Sequence, residues 1–457
     1  MKMDFNSVPI TRRMARLVHH AEIRAGARNA AYCVADQITT PALMLFGAPF
    51  LLSRMGFEQF GVWMLVLALT GSLSVFNFGL GDATIKFISQ CRGKNDVEGM
   101  NRTFRVNLAM GTALGLLAAG AMWFAAPVLA RGVFSAGAAT FASDVRAVRI
   151  GGVILALRSV ESILSNTLRA FEEYAAAAQV SIGVKACTVG SAIALVAHGH
   201  SVCAILAATA ACVAAGIVAY TVRVAGIFPE VSFGLDLDRL LWRKISSFGV
   251  YSWLQSLAAV MFGQADKLII GAWMGAAAAG RYSICAQLAA IVHLTIAAAF
   301  GFLFPQFSRR QEAGEAHKLG RMFRWAMATN WAVTAALTLP LILGGREILT
   351  FWLGREFAEQ SFVLLAVLAV GYGWLSITVV PYMTLLGLGK IRFACAANIA
   401  AGCVSIVASV LLLPHFGLVG AGLGRIAYGA VVTLCYFEAA RILPHSKLPV
   451  AALEPAD

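Results

Sequence analysis

The sequence predicts an all-α, polytopic membrane protein with about twelve transmembrane helices in two six-helix lobes around a central cavity. Three observations predict this class: the composition, the number of apolar stretches and an internal repeat. Hydrophobic residues make up 59% of the chain and charged residues 13%, and the mean hydropathy is +0.76. This balance excludes an ordinary soluble domain.

About twelve apolar stretches each approach the roughly 20 residues that a helix needs to cross a bilayer. We predict spans at 29–52, 59–84, 104–130, 147–170, 176–197, 201–221, 247–273, 279–305, 323–344, 359–385, 393–412 and 417–440. Residues 8–28 are basic and mildly amphipathic, which predicts an interfacial helix before the first span. The hydrophilic loop 222–246 divides the chain into a lobe at 1–230, which carries this basic N-terminus, and a lobe at 231–457.

The two predicted lobes share a weak sequence repeat. The pattern Arg-x-Phe-Arg at 102–105 recurs at 321–324, a shift of 219 residues, and it opens the third span and the ninth. The same shift pairs Gly56 with Gly275, Gly61 with Gly280, Leu69 with Leu288, and Ser89 with Ser308. Many transporters use such a duplicated bundle to place a binding site between two lobes that rock against each other.

The distribution of basic residues predicts the orientation. The formal net charge is +13, but the Lys and Arg residues cluster on alternate loops rather than on one nucleic-acid-binding surface. Basic clusters lie in the N-terminus and in the loops after the second, sixth and eighth spans. The positive-inside rule therefore places both termini in the cytoplasm, and an even number of spans is consistent with that.

Charged residues inside the spans are the candidate functional residues. A charge at the membrane centre costs about 2.5–3.5 kcal/mol on insertion scales, so it normally faces a cavity or a partner. The substrate-binding candidates are Arg158, Lys185, Lys267, Arg425 and Lys86. The candidates for coupling or for structural ion pairs are Asp36, Asp82, Glu161 and Asp266.

The sequence leaves the pairing of these charges open. Arg158 and Glu161 are three residues apart, so they share one helix face and can pair. Asp266 and Lys267 are adjacent and point about 100° apart, so they serve different walls. Lys185 and Arg425 have no partner close in sequence, and the Lys185 side chain can instead snorkel toward the cytoplasmic surface.

Four of the deepest candidates are cations and three are carboxylates. This small positive excess favours an anionic substrate such as a diphosphate, since Arg and Lys are the usual ligands of phosphoryl oxygens. Lys267 is either such a ligand or the structural partner of a carboxylate such as Asp36.

No catalytic constellation is evident in the sequence. The histidines and the nine cysteines show neither metal-site spacing nor a nucleophile motif. We therefore predict a protein that is not an enzyme and that uses no cofactor. Coupling of its activity to Na⁺ or H⁺ stays open.

Several stretches resemble one family. They are Met55–Trp63, Asn77–Ala83, Ala265–Gly271, Gly280–Tyr282, Phe304–Arg309 and Gly417–Gly422. Together they resemble the oligosaccharide flippases of bacterial polysaccharide biosynthesis. These flippases belong to a superfamily that also contains multidrug antiporters and lipid II flippases.

The resemblance implies a function. It implies alternating-access transfer of an undecaprenyl-diphosphate-linked oligosaccharide across the bacterial cytoplasmic (inner) membrane, with Asp82, Asp266 and Lys267 at motif positions. The implied partners are the lipid-linked oligosaccharide, membrane lipids and other polysaccharide-assembly proteins, with no nucleic acid. Two alternatives stay open: an ion-coupled multidrug or cation antiporter of the same fold, and a membrane-embedded glycan polymerase or acyltransferase.

Labelling of single cysteines tests the orientation. A cysteine at Glu58 should react with an impermeant thiol reagent added from outside the cell, because the loop near Gly56 is predicted to face outward. A cysteine at Asn95 should react only after the membrane is permeabilised. The reverse pattern would overturn the predicted topology.

Overall fold

The computed structural model describes residues 9–73, 80–134, 137, 139–234, 236, 238–301, 303–312 and 316–443. All the regular secondary structure in these ranges is helical. The N-terminal half contains α1 (Pro9–Leu73), α2 (Leu80–Gly93), α3 (Val97–Gly132), α4 (Phe141–Ala170), α5 (Tyr174–Ala197) and α6 (Val202–Ile227). The C-terminal half contains α7 (Arg239–Phe300), α8 (Leu303–Glu312), α9 (Ala316–Leu343), α10 (Gly345–Leu353), α11 (Arg355–Ile377), α12 (Val379–Gly387), α13 (Ile391–Phe416), α14 (Leu418–Val432) and α15 (Leu434–Ile442).

The long helices confirm a multi-pass membrane protein. Within the described ranges, nine helical segments are long and apolar enough to cross a membrane. Two of them lie in α1 and α7, which are 65 and 62 residues long. A straight helix of that length would extend about 95 Å, about three times the hydrocarbon core. Each therefore contains two crossings, separated by a glycine with non-helical backbone angles, Gly56 in α1 and Gly275 in α7.

The predicted fourth span, 147–170, lies within α4, which is not among the nine apolar segments. The reason is its charge content, since it contains Asp144, Arg146, Arg149, Arg158, Glu161 and Arg169. Its buried residues are nevertheless mostly apolar and include Val148 and Ile163. The predicted tenth and twelfth spans are each interrupted, at Thr378 between α11 and α12 and at Thr433 between α14 and α15.

The helix termini define two ends of the molecule. We call the end with the basic loops, at the start of α3 and α9, the basic end, and the end with Gly56 and Gly275 the glycine end. The predicted division into lobes at residue 230 stays a prediction. Residues 9–28 are helical, while their predicted amphipathic packing lies outside the described side chains.

Two of the repeated glycines, Gly61 and Gly280, meet at the glycine end. Gly56 and Gly275 have matching backbone angles, φ +74° and +82° with ψ 169° and 176°, in a region that L side chains rarely adopt. A Cβ on Gly61 would lie 1.7 Å from the Ala276 carbonyl oxygen, and one on Gly280 would lie 3.1 Å from the Gly61 Cα. The two halves thus cross with their backbones in contact, at positions that the repeat relates.

The repeated Arg-x-Phe-Arg pattern has a structural role in the N-terminal half. Arg102 pairs with Asp238 at 2.7 Å, Arg105 lies 3.8 Å from Asp236, and the Phe104 ring packs edge-on against Phe233. These contacts hold the linker that follows α6 against the start of α3.

Replacement of Gly61 tests the glycine-end crossing. In a cysteine-free background, Gly61→Ala should raise the thiol labelling of a cysteine at Leu65 several-fold, because the new methyl group forces the two backbones apart. Leu65 is fully buried and contacts Gly271 across this crossing. The matched control is Gly120→Ala, whose Cβ would meet no atom within 4 Å. Equal labelling in both variants would contradict the close backbone contact.

Candidate functional site

Three helices of the N-terminal half bring a carboxylate and two cations together. Lys185 on α5 donates to the Asp36 carboxylate on α1 at 2.6 Å and to the Asp36 carbonyl oxygen at 2.7 Å. Arg169 on α4 lies 3.7 Å from the same carboxylate. Lys185 thus has a partner 149 residues away in sequence. This corrects both the interpretation that it snorkels and the pairing of Asp36 with Lys267.

The second ion pair of the N-terminal half joins Arg158 and Glu161, whose spacing in the sequence allows them to pair. Arg158 donates to Glu161 at 2.6 Å, one turn along α4. The side chain of Arg158 is 40% exposed and that of Glu161 only 9%, and Lys185 is likewise more exposed than Asp36, 24% against 12%. The carboxylates therefore lie behind the cations, so this cluster presents positive charge on its more accessible side.

The C-terminal half contains a more deeply buried cluster. Arg425 on α14 donates to the Asp266 carboxylate at 2.6 Å, and their side chains are 3% and 9% exposed. The Tyr282 hydroxyl donates to the same carboxylate oxygen. The Arg425 guanidinium lies 5.1 Å from the centre of the Tyr372 ring, a cation–π geometry. This network ties together α7, α11 and α14.

Lys267 lies on a different face of α7 from Asp266, as the sequence predicts. Its ammonium donates to the Gln264 side-chain oxygen at 3.2 Å, and it makes no ion pair within the described residues. Gln264 packs toward the N-terminal half, since a Cβ on Gly71 would lie 3.3 Å from the Gln264 amide nitrogen. The next turn, at Gly271, contacts Leu65 of α1. Lys267 therefore belongs to the surface of α7 that faces the other half.

Of the four deep cations predicted from the sequence, these contacts leave one without a carboxylate partner among the described residues. Three of the four deep cations predicted from sequence each lie against one of the three deep carboxylates: Arg158 with Glu161, Lys185 with Asp36 and Arg425 with Asp266. The fourth, Lys267, has an amide partner.

The two clusters lie at different depths. Asp36 is about 30 Å along α1 from Gly56, whereas Asp266 is only about 14 Å along α7 from Gly275. The N-terminal cluster is therefore nearer the basic end, and the C-terminal cluster is nearer the glycine end, where the halves cross. The three ion pairs of the described candidates therefore do not form one constellation.

The other two candidates, Lys86 and Asp82, belong to α2. Lys86 is exposed on α2 and lies over the ring of its neighbour Phe87. The side chain of Asp82 falls outside the described residues. Conversely, sequence reasoning missed Arg169, Tyr282 and Tyr372. Tyr282 reaches Asp266 only because the chain turns at Gly275, and that glycine, paired by the repeat, was the available signal.

Comparisons with solved structures define the fold. An inward-facing multidrug resistance MATE family transporter of the MOP superfamily matches with a TM-score of 0.75 at 14% identity, over 90% of this chain and 98% of the other. A MOP superfamily transporter from Pyrococcus furiosus, described as having a binding pocket of reversed polarity, matches with a TM-score of 0.64 at 13% identity, over 91% and 95%.

Curated relatives add a functional class. A protein of Shigella flexneri named as an O-antigen transporter is 21% identical over 410 residues, 86% of this chain and 91% of the relative. A Haloferax volcanii protein named as a low-salt glycan biosynthesis flippase is 23% identical over 194 residues, 42% of this chain and 41% of the relative. The chain thus spans less than half the length of the Haloferax relative.

The helices interrupted at paired glycines form a multi-pass membrane protein with the MATE-like fold. Within that class, the chain belongs to the polysaccharide biosynthesis protein family, whose model matches residues 51–361. The resemblance seen in the sequence is confirmed.

The buried Arg425–Asp266 pair should be essential for stability. Arg425→Leu leaves a buried carboxylate without its cation, and removing one member of such a pair typically costs about 3–5 kcal/mol. We expect a marked fall in the thermal unfolding temperature of the detergent-purified protein, with partial recovery in the Arg425→Leu/Asp266→Leu double variant. The control is Arg441→Leu, which removes a pair with Glu438 in which the arginine is 83% exposed. Such a surface pair is worth about 0–1 kcal/mol. Equal unfolding temperatures for the two single variants would contradict a structural role for Arg425.

Proposed function

We propose that the protein is a flippase that moves an oligosaccharide linked to undecaprenyl diphosphate from the inner to the outer leaflet of the cytoplasmic membrane, for cell-surface polysaccharide biosynthesis. The observation that carries the proposal is the position of Lys267. Of the four deep cations predicted from the sequence, it is the one without a carboxylate partner among the described residues, and it lies on the face of α7 directed toward the N-terminal half. A diphosphate between the halves would find in it a point charge for its oxygens. The family match and the named roles of the relatives support the same substrate class.

Alternating access is the proposed mechanism. The halves meet at the glycine end through closely packed backbones and the stacked rings of Phe57 and Phe357, 5.6 Å apart. Among the described residues these contacts include the Arg281 guanidinium over the Phe57 ring but no ion pair, so the halves can separate there without breaking one. In the proposed orientation both termini are cytoplasmic, and the glycine end opens outward to release the glycolipid.

The Asp36 site bears on ion coupling. Its carboxylate already forms ion pairs with Lys185 and Arg169. A Na⁺ or H⁺ that drives transport through this site must therefore compete with a tethered ammonium group 2.6 Å away. We propose that the pair opens during the cycle if coupling occurs here, and that an anionic substrate is the group best able to draw Lys185 away.

The second candidate function is a cation antiporter, favoured by the fold shared with multidrug transporters. The charge pairing argues against it, since each of the three deep carboxylates already contacts a cation and the surplus charge is positive. Protection of cells against cationic dyes, with no change in surface glycan, would support the antiporter instead. A polymerase or acyltransferase is the least supported reading, because the relatives are named as a transporter and a flippase.

Complementation of a deletion strain tests the role of Lys267. Deletion should leave the lipid-linked oligosaccharide on the cytoplasmic leaflet and remove the surface polymer. Lys267→Ala should then fail to restore the polymer at normal protein abundance. Lys267→Arg should restore part of it, because the charge survives while its geometry changes.

The matched control for this test is Lys390→Ala, which removes an exposed lysine at the start of α13 and should restore the polymer fully. Normal surface glycan in the deletion strain, in the absence of a redundant flippase, would refute the proposed function. Full export by an abundant Lys267→Ala protein would remove this residue from the mechanism.

A further inference from the structure

A long groove runs along α9 on the C-terminal half. It encloses about 880 Å³ between α9, the break from α11 to α12, and α15, within the usual range of about 300–1,000 Å³ for small-molecule sites. α9 contributes one face, from Arg324 through Trp331 and Thr338 to Ile342, while Trp374 and Phe437 belong to the other walls. Its lining is mainly apolar.

The dimensions of this groove match a lipid chain. Arg324 and Ile342 are about 27 Å apart along α9, close to the thickness of about 30 Å of the hydrocarbon core. The groove is open sideways, since Trp331 and Phe437 are 55% and 63% exposed. Arg324 lines its basic end, so an occupant with an anionic head at that end and a long apolar chain fits both its length and its charge.

The walls of the groove are fixed by polar contacts. The Asn330 side chain donates to the carbonyl oxygens of Ser376 and Ile377, at 3.0 and 3.1 Å, and so braces the break between α11 and α12. The Trp374 indole donates to the Thr433 hydroxyl at 2.9 Å and holds its ring in place. The groove is therefore preformed, which lowers the entropy cost of binding.

The repeat provides an internal comparison. In the N-terminal half, the linker after α6 lies on the Arg-x-Phe-Arg pattern, and Phe233 packs against Phe104. In the C-terminal half the equivalent Phe323 contacts Tyr436 on α15, and Phe323 and Arg324 both line the groove. Within the described residues, the groove thus begins at the position that the linker occupies in the other half.

We propose that this groove binds the polyprenyl chain of the substrate, and that before transport the phosphate group next to that chain lies near Arg324. During transport the diphosphate leaves Arg324 for the space between the halves, where Lys267 lies. The inference rests on the proposed function and deepens it. It gives the polyprenyl chain a binding site on the lipid-facing side of the C-terminal half. The chain then stays beside the lipid while the charged head group moves between the halves.

Photo-crosslinking in lipid nanodiscs tests the proposal without a transport assay. A benzophenone amino acid at Ala335, which lines the groove, should crosslink added undecaprenyl phosphate several-fold more than it crosslinks phosphatidylglycerol at the same mole fraction. The matched control position is Leu116, the equivalent of Ala335 at the 219-residue shift, which is 60% exposed. It should show no preference between the two lipids.

The role of the Arg324 charge at the basic end of the groove is tested with the same crosslinker. Arg324→Gln should reduce the Ala335 crosslink to undecaprenyl phosphate several-fold and leave the crosslink to neutral undecaprenol unchanged. Arg321→Gln, an exposed neighbour of the same motif, should change neither.

Equal crosslinking of phosphatidylglycerol and undecaprenyl phosphate at Ala335 would overturn the groove proposal, because the groove would then hold ordinary membrane lipid. Loss of surface polymer on deletion is measured separately and is independent of that result. Selective crosslinking in a protein whose deletion leaves surface polymer normal would support the groove and refute the proposed function.

Discussion

The cost of placing charge in hydrocarbon determines how this bundle is held together. Each of the three deep carboxylates described here contacts a cation. Two of these pairs connect different helices, α1 to α5 and α7 to α14. Apolar packing alone gives little specificity between helices surrounded by lipid, since lipid tails are as apolar as leucine. The buried pairs therefore supply what packing cannot, a defined partner for each of these helices.

Small residues complement these pairs by setting the distances. Gly371 of α11 faces Arg425, where a Cβ would lie 2.9 Å from the arginine Cβ, so α14 can approach closely enough for its guanidinium to reach Asp266. At the glycine end, Gly61 and Gly280 do the same for the crossing of the two halves. Close approach and charge pairing depend on each other, because a 2.6 Å contact requires helix axes held at one separation.

The sequence predicted the fold class, the repeat and the local Arg158–Glu161 pair, because these depend on composition, hydrophobic periodicity or spacing within one helix. It could not predict that Lys185 meets Asp36 or that Arg425 meets Asp266. Those contacts join helices far apart in sequence, and helix order around the bundle is not encoded in any local pattern. The role of Tyr282 was hidden for a related reason, since a residue sixteen positions from its partner becomes a neighbour only when the chain reverses. The sequence singled out Lys267 as a diphosphate ligand or the partner of a carboxylate, and in the structure its partner is Gln264.

The paired glycines also constrain how the gene can change. If the two halves were two copies of one chain, a single substitution at the position of Gly61 and Gly280 would add a side chain to both sides of the crossing at once. Because both halves lie in one chain, the residues on the two sides of the crossing can be substituted separately. The close contact of the backbones nevertheless makes a substitution on one side depend on the residue on the other. Gly61 and Gly280 face each other, so a larger residue on one side would require room from the other. The two halves are free to diverge in their clusters and grooves, but not independently at the point where their backbones touch.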